Sequence, residues 1–246
     1  MKTFVSGTIS VKAVLEERKR SAIELIVNPE KRSRDISYII ALAKQNRIPV
    51  VMSDTQSMKE IAPNNGGVIL ACNSIELPAL DEQDPLEGLC VYISGVEDPY
   101  NLGSIARTLY AAGASKMIIQ NRDWSNALAT LLRSSAGAWE RLPIVTVESD
   151  EQLIETAKAA NRPILAAARD DGAKPLFTET LEKNCLIAIG GAMRGLSSAL
   201  LSASSLHLYI PYGRDFRNAL DSVSAASVFA FEWERVRFLE QSKNSQ

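Results

Sequence analysis

The chain is poor in the residues that build metal and nucleophilic centres. Its 246 residues include one histidine, His207. That excludes His-rich metal sites and argues against a Ser-His-Asp mechanism. The three cysteines, Cys72, Cys90 and Cys185, are far apart and odd in number, so neither a disulfide framework nor a Cys-x-x-Cys metal site can be read from them. No apolar run approaches the roughly 18 residues that would cross a bilayer. Residues 1–7 lack the apolar core of a signal peptide, and the expectation is a cytoplasmic protein with no membrane partner and no bound metal. There is no internal repeat and no low-complexity segment. What remains, 46% hydrophobic and 23% charged residues, is the composition of a globular protein.

The net charge of −2 is unevenly spread. Residues 1–70 hold 11 Lys and Arg against seven Asp and Glu, clustered at Arg18-Lys19-Arg20 and at Lys31-Arg32-Ser33-Arg34. Such clusters attract phosphates, although a solvated helix face and loop would look the same. Residues 71–88 hold five acids and no basic residue. With two prolines and no sustained periodicity, 73–88 reads as an acidic linker between a domain at 1–72 and another at 89–246.

The first domain reads as small and α/β. Helices are expected at 7–20, 34–46 and 56–61, and short apolar strands at 23–27, 48–52 and 67–72. The second repeats the alternation on a larger scale. Strands are expected at 90–96, 116–120, 143–147, 164–168, 185–190 and 207–211, with helices at 103–112, 125–136, 150–160, 175–182 and 196–203. This predicts a largely parallel sheet covered on both faces. A last helix at 222–240 carries Ala226, Phe229, Ala230, Trp233 and Val236 along one wide stripe, broad enough to face a second subunit as well as its own core.

Three segments can carry chemistry. In 96–113, a strand ends at Val96, Asp98-Pro99 turns, and Asn101 can cap a helix that stops at Gly113. Ile105, Leu109 and Ala112 form the buried stripe, so Arg107 points outward on the face of Gly103, at the strand edge where open α/β sheets bind ligands. In 185–197, a buried strand runs into a loop with Gly190, Gly191 and Gly195, where backbone can approach a ligand closely. The loop is neither G-x-G-x-x-G nor a P-loop. In 207–229, a strand ends at Ile210-Pro211, a loop carries Gly213, Arg214 and Arg217, and a helix rich in small residues follows. His207 lies within the strand and reads as structural.

In this order, the three segments resemble the SpoU (TrmH-type) RNA ribose 2′-O-methyltransferases. Asp98, Pro99, Asn101, Gly103, Ile105, Arg107 and Gly113 match the first motif. Gly190, Gly195 and Leu196 match the second, and Ile210, Pro211, Gly213, Leu220, Ser224 and Ala225 the third. Arg133–Ala138, RSSAGA, is similar to a further family segment, and residues 1–70 resemble the substrate-binding domain of rRNA-modifying members. The resemblance implies a trefoil-knotted α/β domain of the SPOUT kind, one of the rare exceptions to unknotted chains, behind a small α/β RNA-binding domain. It implies a homodimer acting on RNA, with rRNA the expected substrate. S-adenosylmethionine would be held by Gly190, Gly195, Ile210, Leu220 and Ala225, mostly through main chain. Asn101 and Arg107 would face the ribose, and Arg18, Lys19, Arg20, Lys31, Arg32, Arg34 and Arg133 would contact RNA.

The sequence departs from the family pattern at Ala192, where an acid is usual. It departs again at Ala219-Leu220-Asp221 for Ser-Leu-Asn, in a loop about one residue longer, and at Asn65-Gly66-Gly67 for His-Gln-Gly. Asp221 could accept a proton, replace the lost acid, or mark lost activity. A non-catalytic RNA-binding relative therefore stands as the alternative, with an unrelated nucleotide-binding α/β enzyme behind it.

Overall fold

The computed structural model describes residues 2–191 and 194–244. They fall into two compact units, Met1–Glu76 with Asp123–Arg141, and Leu77–Arg122 with Leu142–Gln246.

The first unit contains β1 (Lys2–Ser6), α1 (Thr8–Glu17), β2 (Ala22–Val27), α2 (Arg34–Gln45), β3 (Val50–Met52), α3 (Thr55–Ile61) and β4 (Val68–Asn73). Its sheet runs β1-β4-β2-β3, with β4 antiparallel to both neighbours and β2 parallel to β3. The strand β1 is an addition to the expected pattern. Only Val5 and Ser6 of its five residues are buried, so no alternation marks it, and pairing with Ile69–Asn73 creates it. Ser33 caps α2 by accepting from the Ile36 amide at 3.1 Å, so the basic turn at 31–34 passes directly into a helix.

The second unit begins with β5 (Leu89–Ser94), α4 (Pro99–Ala111) and β6 (Lys116–Gln120). The chain then gives α5 (Leu128–Ser134) and α6 (Ala138–Arg141) to the first unit. It returns with β7 (Ile144–Val147), α7 (Asp150–Ala159), β8 (Ile164–Ala167), β9 (Lys174–Pro175), β10 (Cys185–Gly190), α8 (Ser198–Ala203), β11 (Leu206–Tyr209) and α9 (Ser222–Asn244). Seven strands, ordered β7-β6-β5-β10-β8-β11-β9, pair in parallel throughout. Every loop that follows a strand therefore opens at one edge of the sheet.

Three expectations are corrected. The helix at 125–136 becomes a 3-10 turn at Ser125–Ala127 followed by α5, and it packs within the first unit. Leu128, Leu131 and Leu132 bury its apolar face there. The RSSAGA segment is the turn that ends α5: Ala136 and Gly137 take φ of 49° and 80°, and a Cβ on Gly137 would sit 2.7 Å from that of Ala13 in α1. The helix expected at 175–182 is instead the short strand β9 and a 3-10 turn at Leu176–Thr178. Its two buried leucines, Leu176 and Leu181, are five residues apart, which no single helical face accommodates. The segment 77–88 is not a free linker. Leu80 and Leu86 are buried in the second unit's core, the Leu80 amide donates to the Thr146 carbonyl at 2.7 Å, Asp84 pairs with Lys116, and Arg162 donates to the Pro85 carbonyl at 3.3 Å.

All three cysteines are buried and free, with their thiols pushed up by burial to about 11 for Cys72 and Cys90 and about 12 for Cys185. They are packing residues rather than nucleophiles.

Candidate active site

The glycine segments meet at the C-terminal edge of the parallel sheet. A Cβ on Gly190 would lie 2.4 Å from the Gly195 carbonyl carbon and 2.7 Å from the Leu196 nitrogen. One on Gly191 would lie 2.5 Å from the Gly95 carbonyl oxygen, in the loop after β5. Ser222, at the start of α9, donates its hydroxyl to the Gly190 carbonyl at 3.1 Å. The loops after β5 and β10 and the chain entering α9 are thus packed backbone on backbone, closer than side chains permit. Gly95, Gly195 and Gly213 have open space where a Cβ would point, leaving main chain accessible on the solvent side of the cradle.

Asp98, not Asn101, caps α4; its carboxylate accepts from the amides of Tyr100 and Asn101 at 3.2 and 3.3 Å, and Pro99 occupies the first turn. Asn101 is exposed in the first turn, and its side chain makes no hydrogen bond among the described residues. Arg107 is exposed further along α4 and makes no ion pair among the described residues, whereas Gly103 is buried. A step of four residues turns a helix by about 40° past a full turn, enough to carry the chain from the buried to the exposed side of the boundary. Among the described residues, no hydrogen bond or ion pair joins Arg107 or Asn101 to the glycine loops of the same chain.

The loop between β11 and α9 is organised by two residues that the sequence patterns did not single out. The Tyr212 hydroxyl accepts from the Leu220 amide at 3.1 Å and donates to the Asn218 carbonyl at 3.3 Å. Arg169, just beyond β8, donates to the Phe216 carbonyl at 2.9 Å and stacks over the Tyr212 ring at 4.9 Å. A tyrosine and an arginine in irregular segments carry no periodic signal, so only the folded loop reveals them. Asp221 caps α9, accepting from the Ser224 amide at 2.9 Å and from its hydroxyl at 2.7 Å. These bonds hold its carboxyl below the ordinary aspartate range. Ile210 and Ala225 are half-buried beside this loop in the sequence. Ala192 lies outside the described residues.

The candidate RNA contacts all lie in the first unit. Arg18, Lys31, Arg32, Arg34 and Arg133 are exposed. Lys19 is exposed but donates to the Glu140 carbonyl at 2.5 Å. Arg20 is a correction: its side chain is 3% exposed and its Nε donates to Glu140 Oε1 at 2.8 Å, so it holds α6 in place and cannot meet a phosphate. The Asn65-Gly66-Gly67 turn is structural. The Asn65 side chain accepts from the Gly67 amide at 2.8 Å, and a Cβ on Gly67 would collide with the Lys31 side chain at 2.7 Å.

The architecture is that of solved RNA methyltransferases. A crystal structure of an RNA 2′-O ribose methyltransferase aligns with a TM-score of 0.81 at 20% identity, over 96% of this chain and 89% of that one. The SpoU methyltransferase AviRb from Streptomyces viridochromogenes, in complex with the cofactor AdoMet, aligns with a TM-score of 0.77 at 22% identity, over 97% and 91%. In sequence, the mitochondrial rRNA methyltransferase 1 of Schizosaccharomyces pombe is 24% identical, over 93% of this chain and 88% of its own length. Residues 88–231 match the SpoU rRNA methylase family, and residues 4–78 match the RNA 2′-O ribose methyltransferase substrate-binding family. The chain belongs to the SpoU rRNA methylase family.

That family implies S-adenosylmethionine, and the residues present fit it. The cradle is built of main chain, its glycines leave room for close approach, and no fixed side-chain charge is required to receive a purine ring.

Proposed function

We propose that this protein is an S-adenosylmethionine-dependent RNA methyltransferase acting on a ribose 2′-hydroxyl, with rRNA as its substrate. The observation that carries the reading is the backbone cradle of Gly190, Gly195 and Leu196, with Ser222 on the Gly190 carbonyl, at the edge where the family's motifs converge. Gly190, Gly195, Ile210, Leu220 and Ala225 are the residues assigned to hold the donor. When bound, it supplies an electrophilic methyl group. Arg107 fixes the ribose and its phosphate and stabilises the charge that develops on the 2′-oxygen. Its guanidinium offers only N–H donors and no acceptor, so it is unsuited to removing the proton itself. Asp221 is also unsuited: its carboxylate is engaged by the first turn of α9, and a depressed pKa makes it a weak base. The proton passes to a phosphate oxygen or to water.

The knotted path, the cytoplasmic location and the homodimer belong to this proposal. Exposed Tyr100 and Tyr110 on α4 and Phe231, Phe238 and Leu239 on α9 support a second copy, which would bring Arg107 to the neighbouring cradle. Methyl transfer to rRNA from a strain lacking the protein tests the activity. Arg107→Ala should lower turnover at least 100-fold while calorimetry finds S-adenosylmethionine affinity changed less than twofold. RNA binding without methylation of any RNA would favour the alternative, a non-catalytic RNA-binding relative, to which Ala219 and Asp221 point.

A further inference from the structure

We propose that the loop at 212–217 reads an unpaired base of the RNA substrate, with the Phe216 ring as the stacking face and Arg214 and Arg217 on the adjoining phosphates. The inference rests on the RNA methyltransferase reading above and names the residues that recognise nucleotides next to the target ribose.

Phe216 is 49% exposed although its backbone is held: Arg169 donates to its carbonyl at 2.9 Å, and the Tyr212 ring lies beside its ring at 6.1 Å between centroids, tilted by 47°. Tyr212 is itself clamped under the Arg169 guanidinium and bonded to Asn218 and Leu220. The loop is therefore anchored at several points while its largest apolar side chain is left in water. A ring so presented gains most when a flat partner covers it, and every nucleobase offers such a face.

The charges around the ring fit the same partner. Arg214 and Arg217 are exposed and form no ion pair among the described residues, and Asp215 is the one acid between Tyr212 and Leu220. An exposed aromatic flanked by arginines is how sequence-tolerant single-strand binding is built, stacking supplying affinity and the guanidiniums tracking the backbone. Position completes the argument. Six residues after Phe216 the chain reaches Ser222, whose hydroxyl holds the Gly190 carbonyl, and the loop leaves the parallel sheet at the same edge as the glycine loops, so a base on Phe216 would lie on the side of the sheet that carries the donor cradle.

The test uses the full-length protein, S-adenosylmethionine and rRNA from a strain lacking it. Phe216→Ala should lower kcat/KM for the RNA by about 10- to 100-fold, the range for losing one base–aromatic stack. Phe216→Trp should recover most of the loss. Affinity for S-adenosylmethionine and the sedimentation coefficient should not change. Arg214→Ala and Arg217→Ala should each reduce the slope of log affinity against log salt by about one. Unchanged kcat/KM in Phe216→Ala overturns the inference. So does an equal loss of cofactor affinity, which would make Phe216 a cover for the donor, or a change in sedimentation, which would make it a subunit contact. Wild-type protein that methylates no RNA sinks the functional reading itself and is seen before any variant is made.

Discussion

Arg20 and Glu140 are 120 positions apart, yet each has 3% or less of its side chain exposed, and they meet at 2.8 Å. Glu140 Oε2 has no hydrogen-bond partner among the described residues, so the arginine carries most of the neutralisation. Removing one member of such a pair strands the other charge in the core, at a cost of about 3–5 kcal/mol. Arg20→Ala should lower the unfolding free energy by about that amount in urea titration. Replacing both residues with Met and Leu should restore most of it. His207 is the second residue whose surroundings set its state. Its Nδ1 meets Asp170 Oδ2 at 2.6 Å and its Nε2 meets the Leu201 carbonyl at 3.0 Å. Both partners accept, so both nitrogens donate only as the imidazolium. The Leu201 carbonyl, then Asp170, accordingly raise its pKa above the ordinary histidine value. A raised folded pKa gives stability that is complete below the unfolded value, about 6.5, and is lost as pH rises through the folded one. Melting temperatures taken from pH 6 to pH 8 should fall, and His207→Gln should flatten that decline.

Among the elements, loops decide more than helices. The strands Lys116–Gln120 and Cys185–Gly190 have the bounds predicted for them, because the middle of a strand covered on both faces is a continuous apolar run, here Met117–Ile119 and Cys185–Ile189, all buried. The glycine loop after β10 was also legible as a place of close backbone approach. Its partners were not, since Gly95 and Ser222 come from elements far away in the chain. Gly190→Ala should therefore act by forcing Gly195 and Leu196 away, before any ligand is present. The expected result is loss of S-adenosylmethionine binding by at least 10-fold, with a lower melting temperature in the donor-free protein. Retained affinity would argue that the loop repacks freely. The segment 77–88 shows the opposite failure of reading. Its acids and prolines look like a linker, but two leucines, Leu80 and Leu86, fix it to the core, and isolated leucines carry no periodic signal.

Across the whole molecule, the basic clusters separate into structural and available charge. Arg20 is consumed by Glu140 and Lys19 is tied to its carbonyl, whereas Lys31, Arg32 and Arg34 stand exposed on the turn that Ser33 passes into α2. Neutralising Lys31, Arg32 and Arg34 together should weaken RNA binding and lower the salt slope by about two to three. An unchanged slope would make the cluster a solvated face. The sequence by itself determined the α/β alternation, the parallel sheet and the glycine and arginine segments of the site, because burial on a sheet and tight turns each demand particular residue types at short range. Only the tertiary structure decided that 123–141 packs with the first unit, that Arg20 is buried, and that Tyr212 and Arg169 hold the loop presenting Phe216. Each of these rests on a contact between side chains or backbone groups whose environment no local pattern encodes.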